Sequence, residues 1–449
     1  MLYEISWEVC NKVGGIYTVV KSKVELMEEH YKKYALIGPF FADKAKTETQ
    51  QLVPPERLKK VFDRLEKEGI ICYYGKWLVK GEPTVILINF QKIVNKKNDI
   101  KKELWEHHGI DTLFSHWDYE EPMIWAYAVS RLLSELGDEY KNEKIVGHFH
   151  EWLAGIALLL LKGSSIRTVF TTHATMLGRA LAGGGYDLYS MLDSLDPDEE
   201  AYKLGVQDKY LTEKAAAQNA SVFTTVSEIT AMEAEKILDK KAEVLLLNGL
   251  DIDKFPNFEE CSVKHQQNRD SIREFISYYF FPYYTFELEQ TLIFFIVGRY
   301  EFKNKGIDLF IKALGRLNQK LQEQGSRKTI VAFFWIPMGV NGIKTEILQS
   351  EEKFEQIKDF VDKNLSKIKT RLIGSITKSD KIKVEQMLDP DFVADARKLR
   401  IRFVSEGKPA LCTHYLYNEE DDSIIKGFNE AGLTNTKEDK VKVICYPVY

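Results

Sequence analysis

Short apolar runs punctuate roughly the first 250 residues. Between them, apolar positions return every three or four residues, as on one face of a helix. The runs at 34–38, 84–88, 145–148, 168–171, 222–225 and 244–247 predict strands, and 55–68, 122–136 and 214–219 predict amphipathic helices. Strand and helix taken in turn predict an α/β unit built on a doubly wound sheet. In such sheets ligands collect in the crevice beyond the carboxyl ends of the strands.

A polar, aromatic-rich stretch, 257–290, reads as a linker between this unit (1–256) and a second one (291–449). The second unit opens on Leu292-Ile293-Phe294-Phe295-Ile296-Val297, apolar at every position and so predicted to be buried on both faces. The run ends at Gly298, delivers Arg299, Lys303 and Lys305, and reaches Gly306 before a predicted helix over 307–321. Cations beside open helix amides suit an anion, most often a phosphate, and a basic surface turn is the plainer alternative for this segment alone. Further strands are predicted at 329–334 and 441–445, with a helical insertion at about 343–402 between them. In that insertion Ile347, Phe354, Val361 and Ile368 recur every seven residues, with Ile357 and Leu365 between, which is a heptad seam. It reads first as a helix packed on its own domain and second as an intermolecular coiled coil. Three strands do not complete a second Rossmann-like domain, so the second domain is expected to be incomplete and the sequence truncated after its last strand.

Composition narrows the class. With 449 residues, 44% hydrophobic and 12% aromatic, the chain supports two or three packed domains and is not a disordered protein. A net charge of −5 argues against a general nucleic-acid binder and leaves room for local basic sites. Five cysteines without a CxxC fit a reducing cytoplasm better than a disulfide framework. The longest apolar stretch, 153–161, is far short of a bilayer span and no leader is visible, so a soluble cytoplasmic protein without a membrane partner is expected.

Candidate chemistry falls at strand ends. Asn11-Lys12-Val13-Gly14-Gly15-Ile16-Tyr17 precedes a helix, and its paired glycines would let a ligand approach open amides while Lys12 supplies charge. The spacing is neither GxGxxG nor a P-loop, and an ordinary turn is the plain alternative. His148 and His150 share a strand face; they suit hydrogen bonds to a polar ligand, with a satisfied half-buried pair as the bland reading. A metal held by His148, His150 and His173, and hence a metal-dependent hydrolase, is the rival from a different class. Thr171-Thr172-His173-Ala174-Thr175-Met176-Leu177-Gly178-Arg179 repeats the pattern, and Val226-Ser227 and Asn248-Gly249 also lie at strand ends. Their conjunction on one sheet edge, with Arg299 and Lys305 on another, points to two sheets facing a basic cleft and to a nucleotide-diphosphate donor.

The segments 8–19, 148–155, 170–179, 222–227, 248–250 and 298–306 closely resemble glycogen synthase of the eukaryotic type, in order and over nearly the whole chain. The resemblance implies a GT-B-like fold of two Rossmann-like domains. It implies transfer of glucose from UDP-glucose to the non-reducing 4-hydroxyl of an α-1,4-glucan, with retention and without a metal or other cofactor. By motif match, Arg299 and Lys305 would hold the donor diphosphate and Arg179 would add charge near it. Lys12, Gly14 and Gly15 would border the donor, His150, Glu151 and His173 would line the sugar pocket, and Asn248 falls in a matching segment. The insertion corresponds to a region that mediates tetramer contacts in the family. The family's paired-glutamate motif, expected after the strand at 441–445, is missing, so weak donor binding and no turnover are expected of this chain alone. A non-catalytic glucan-binding relative is the remaining alternative.

Overall fold

The structure, a computed structural model, describes residues 1–161, 165–378 and 388–448. Contacts divide the chain into two compact units, Met1–Lys254 and Phe255–Tyr449.

Among its described residues the first unit carries nine strands: β1 Leu2–Ile5, β2 Tyr34–Pro39, β3 Thr49–Gln51, β4 Ile71–Trp77, β5 Thr84–Asn89, β6 Val146–His150, β7 Arg167–Thr172, β8 Val222–Thr225 and β9 Val244–Leu245. They form one sheet in the order β3-β4-β5-β2-β1-β6-β7-β8-β9. All pairings are parallel except those of β4, which runs antiparallel to β3 and β5. From β1 the chain winds first towards β2 and later towards β6, so the winding direction reverses between β1 and β6. That reversal is where an open α/β sheet leaves a crevice. The helix Glu151–Leu159, apolar on all sides, is buried among the helices Trp117–Glu139 and Gln207–Asn219 and the sheet. Gly155 permits this: a Cβ there would lie 2.8 Å from that of Ala216 and 2.9 Å from the Phe170 ring.

Several boundaries differ from the sequence reading. The helix expected at 122–136 runs Trp117–Glu139, its first turn hidden by Asp118 and Glu120, which suit a helix N-terminus. The helix expected at 214–219 runs Gln207–Asn219, because buried Asp208, Thr212 and Glu213 break its apolar pattern. The strand expected at 244–247 is only two residues long and exposed. The antiparallel β3 and β4, short or half-buried, gave no clean alternation.

In the second unit β10 Leu292–Val297, β11 Ile330–Trp335 and β14 Val441–Tyr446 form a parallel sheet in the order β10-β11-β14, and β12 Val340–Ile343 pairs antiparallel with β13 His414–Leu416. The segment read as a linker holds a 23-residue helix, Phe258–Phe280. Ile276, Tyr279 and Phe280 of that helix pack with Val331, Phe333 and Ile444 of the sheet, so it covers one face of the second unit rather than spacing two domains. Strand β10 is a second correction. It is an edge strand, and Phe295 and Val297 are 64% and 55% exposed rather than buried, because among the described residues only β11 pairs with it. The opposite edge is closed: the buried side-chain amide of Asn435 exchanges two hydrogen bonds with the backbone of Val443 in β14. The insertion expected at 343–402 contains the helices Thr345–Lys378 and Pro390–Phe403; residues 379–387 lie outside the described residues. No helix among the described residues is long and apolar enough to cross a membrane.

Candidate functional site

In the first unit the strand ends on either side of the winding reversal converge. Glu4 on β1, fully buried, accepts from Nε2 of His150 on β6 at 2.7 Å, from the Tyr34 hydroxyl at 2.5 Å and from the Lys23 ammonium at 2.5 Å. Burial would raise its carboxyl, but Lys23 and the His150 hydrogen bond hold it well below the usual carboxylate range. The tautomers follow. Since Glu4 is ionised, His150 Nε2 carries the proton, and its bare Nδ1 accepts from His173 Nε2 at 3.0 Å. On the far side the Thr224 hydroxyl donates to the Phe170 carbonyl, Thr171 to Thr224 and His148 Nε2 to Thr171, leaving His148 Nδ1 bare. Burial pushes His150 and His173 down to about 4 and His148 well below the usual histidine range, so all three are neutral at pH 7. Such imidazoles accept and donate hydrogen bonds but are poor proton acceptors.

This geometry bears on the metal reading. Glu4, His148 and His150 each place one ligand atom within 4.8 Å of the others, so the third partner that spacing did not reveal is Glu4 and not His173. Yet the Lys23 ammonium already sits against Glu4. A cation therefore neutralises the carboxylate without a metal.

Glu151 follows His150 directly, in the left-handed backbone region at φ 64°, a strained position for a non-glycine residue. Its carboxyl accepts from the His173 amide at 3.0 Å, and Arg179 approaches the same oxygen at 3.4 Å. Glu213, buried and unread in the sequence, accepts from the Thr172 hydroxyl at 3.0 Å and the Met176 amide at 2.8 Å. Glu233 accepts from the Thr175 hydroxyl, which also caps the Gly178 amide. A Cβ at Gly178 would fall 2.1 Å from Glu233 Oε1, so a larger residue there would displace that carboxyl from Thr175.

The glycine pair is a correction. The Gly14 and Tyr17 amides, expected to lie open to a phosphate, donate to Glu8 Oε2 at 2.9 and 2.8 Å. The chain's own carboxylate fills that helix terminus. Lys12 and Gly15 are exposed beside it, and Asn248 is exposed in the loop after β9. The structure thus joins His150, Glu151, His173 and Arg179 into one network with Glu4 and Lys23, and Glu213 and Glu233 hold the adjoining turn through Thr172, Met176 and Thr175; motif reasoning missed all four of these added residues. Glu4 alone had left a signal, a carboxylate inside the apolar run of β1.

Arg299 and Lys305 belong to the second unit. After β10 ends, the Gly298 amide bonds to the Trp335 carbonyl at 3.3 Å, and Gly306, at φ 67°, starts the helix Ile307–Glu323. Arg299 is exposed and pairs with Glu301 at 3.0 Å; Lys305 is exposed, its aliphatic stem beside Gly298.

The family model described as glycogen synthase matches residues 4–449. Glycogen [starch] synthase of Neurospora crassa is 38% identical over all of this chain and 65% of its own length; isoform 2 of Saccharomyces cerevisiae is 36% identical over all of this chain and 67% of its own. The chain thus spans about two thirds of these relatives. Among solved structures, the catalytic domain of starch synthase IV from Arabidopsis thaliana, bound to ADP and acarbose, aligns with 80% of this chain and 71% of its own at 16% identity and a TM-score of 0.44. The match over the whole length, together with the motifs gathered at one sheet edge, shows that this chain belongs to the glycogen synthase family.

Proposed function

We propose that the protein transfers glucose from UDP-glucose to the non-reducing 4-hydroxyl of an α-1,4-glucan, with retention, in the cytoplasm and without a metal or other cofactor. The observation that carries this is the neutral histidine and carboxylate array at the winding reversal of the first sheet. Three uncharged imidazoles and an anchored carboxylate offer hydrogen bonds of fixed polarity, which suits hydroxyl-rich sugar. None of the imidazoles is poised as a base at pH 7. That agrees with a mechanism in which a donor phosphate oxygen takes the acceptor's proton. UDP leaves as an anion, so cations placed on the developing charge lower the barrier selectively. Arg299 and Lys305 are assigned to the diphosphate, Arg179 to charge near it, His150, Glu151 and His173 to the sugar, and Lys12, Gly14 and Gly15 to the border of the donor. We further propose a homo-oligomer, a tetramer, built through the helix Thr345–Lys378. Its heptad residues Val361 and Leu365 remain 40% and 54% exposed.

Transfer of labelled glucose to glycogen from UDP-glucose, with ADP-glucose in parallel, tests the reading. Incorporation from UDP-glucose that survives a chelator is expected of the protein with the family's paired-glutamate segment present. Arg299→Ala should lower kcat/KM about 100-fold or more. A change under about threefold removes Arg299 from the site, and preference for ADP-glucose overturns the donor.

A further inference from the structure

The turn from Thr172 to Met176 carries His173 and opens the helix that bears Arg179, so its conformation sets where both groups point. Two buried carboxyls hold it. Glu151 takes the amide of His173 from one side. Glu213 takes the Thr172 hydroxyl and the Met176 amide, one oxygen for each end of the turn. The donors of His173, Thr172 and Met176 are therefore satisfied by side chains of two other helices, Glu151–Leu159 and Gln207–Asn219, which pack tightly against each other, while the Thr175 hydroxyl goes to Glu233 on the helix Glu228–Ile237. Glu213 is fully buried.

We propose that Glu213 is a positioning residue of the donor site, clamping both ends of the His173 turn so that His173 and Arg179 face the sugar and its phosphate. This rests on the glycosyltransferase reading above. The groups facing Glu213 are few. Glu151 comes from the helix Glu151–Leu159, Arg179 from the helix Met176–Gly183, and the Thr172 hydroxyl from β7. Asp198, on the helix Pro197–Lys203, is engaged with Tyr210 and Lys214. Glu233, on the helix Glu228–Ile237, is taken by Thr175 and Tyr189. Burial and the Glu151 carboxylate push Glu213 up to about 8, and burial raises Glu151 as well. Two carboxyls so placed do not both ionise at neutral pH, and the pair keeps one proton. The clamp then works as a neutral acid: its bare oxygen accepts from the Met176 amide, and its hydroxyl donates to Thr172, the reverse of the bond that an ionised Glu213 would accept. A glutamine can replace it, its oxygen accepting from Met176 and its amide donating to Thr172, whose hydroxyl turns to accept.

The sign of the pH dependence follows. Between 4.5 and about 8 the folded protein holds a proton that the unfolded chain has lost. Stability therefore falls as pH rises through that window and levels off above it. Glu213→Gln removes this loss.

Three measurements on the whole chain test the proposal: hydrogen exchange of residues 172–179, UDP-glucose affinity, and the unfolding midpoint against pH. Glu213→Ala should speed exchange in that segment at least fivefold and weaken UDP-glucose at least tenfold, with Glu213→Gln within twofold of wild type in both. The midpoint of Glu213→Gln should gain on wild type by about 5 °C between pH 6 and pH 8.5. Unchanged exchange at 172–179 in Glu213→Ala, or Glu213→Gln as disrupted as Glu213→Ala, overturns the clamp. If Glu213→Ala does not fold, the glutamine variant decides, and a midpoint gap that stays constant with pH overturns it. A wild-type chain that binds no UDP-glucose counts against the functional reading instead, while the exchange result still settles the clamp.

Discussion

His150 condenses the chemistry of the first unit into one ring. It is 2% exposed and hydrogen-bonded at both nitrogens, and burial outweighs the attraction of Glu4 for its charged form. A fall from 6.5 to about 4 corresponds to about 3 kcal/mol of added protonation cost. Because the folded value is the lower one, the unfolded chain takes up the proton first. Stability from this residue is full above pH 6.5 and is lost as pH falls towards 4. Nitrogen-15 NMR of the imidazoles should accordingly show His150 and His173 neutral at pH 5.5, each protonated on Nε2; midpoints near 6.5 would contradict the assigned bonds. The sequence offered His150 and His173 through their places at strand ends. It could not offer Lys23 or Glu213, which sit within helices as any surface charge might, and only the fold turns them inward. Nor could it show that Glu8, six residues before Gly14, would occupy the amides that the paired glycines leave free.

At the level of elements, apolar runs ending in polar residues were the legible part, and β2, β5, β6, β7, β8 and β11 lie where those runs lie. What escaped was whatever depends on neighbours rather than on the run itself. Leu292–Val297 has the composition of a central strand and the environment of an edge, since composition does not say how many partners a strand has. The helix Phe258–Phe280 was hidden because only its last turns are buried while the rest carries polar side chains. The heptad of the helix Thr345–Lys378 is split. Ile347 is buried and Phe354 lies 6.1 Å from Phe403, whereas Val361 and Leu365 face outwards. If those outward positions join protomers, Leu365→Lys should reduce the mass measured by sedimentation or light scattering and leave the helical circular dichroism intact. An unchanged mass would place the subunit contact elsewhere.

Over the whole molecule, charge is apportioned with economy. The interior of the first unit holds three histidines that burial keeps neutral, Glu4 anchored by Lys23, and further buried carboxyls at Glu120, Glu151, Asp208, Glu213 and Glu233, of which burial pushes Glu151 and Glu213 upwards. Lys12 and Arg179 are solvent-accessible in the first unit, and in the second Arg299 and Lys305 are exposed after β10, Arg299 paired with Glu301. The proposed sugar-nucleotide reading depends on these exposed cations. The most direct measurement is a calorimetric titration of UDP-glucose into the chain and into its Arg299→Ala/Lys305→Ala double variant. Saturable binding that weakens at least about tenfold in the double variant is the expected result. Equal titrations for the two proteins would contradict it.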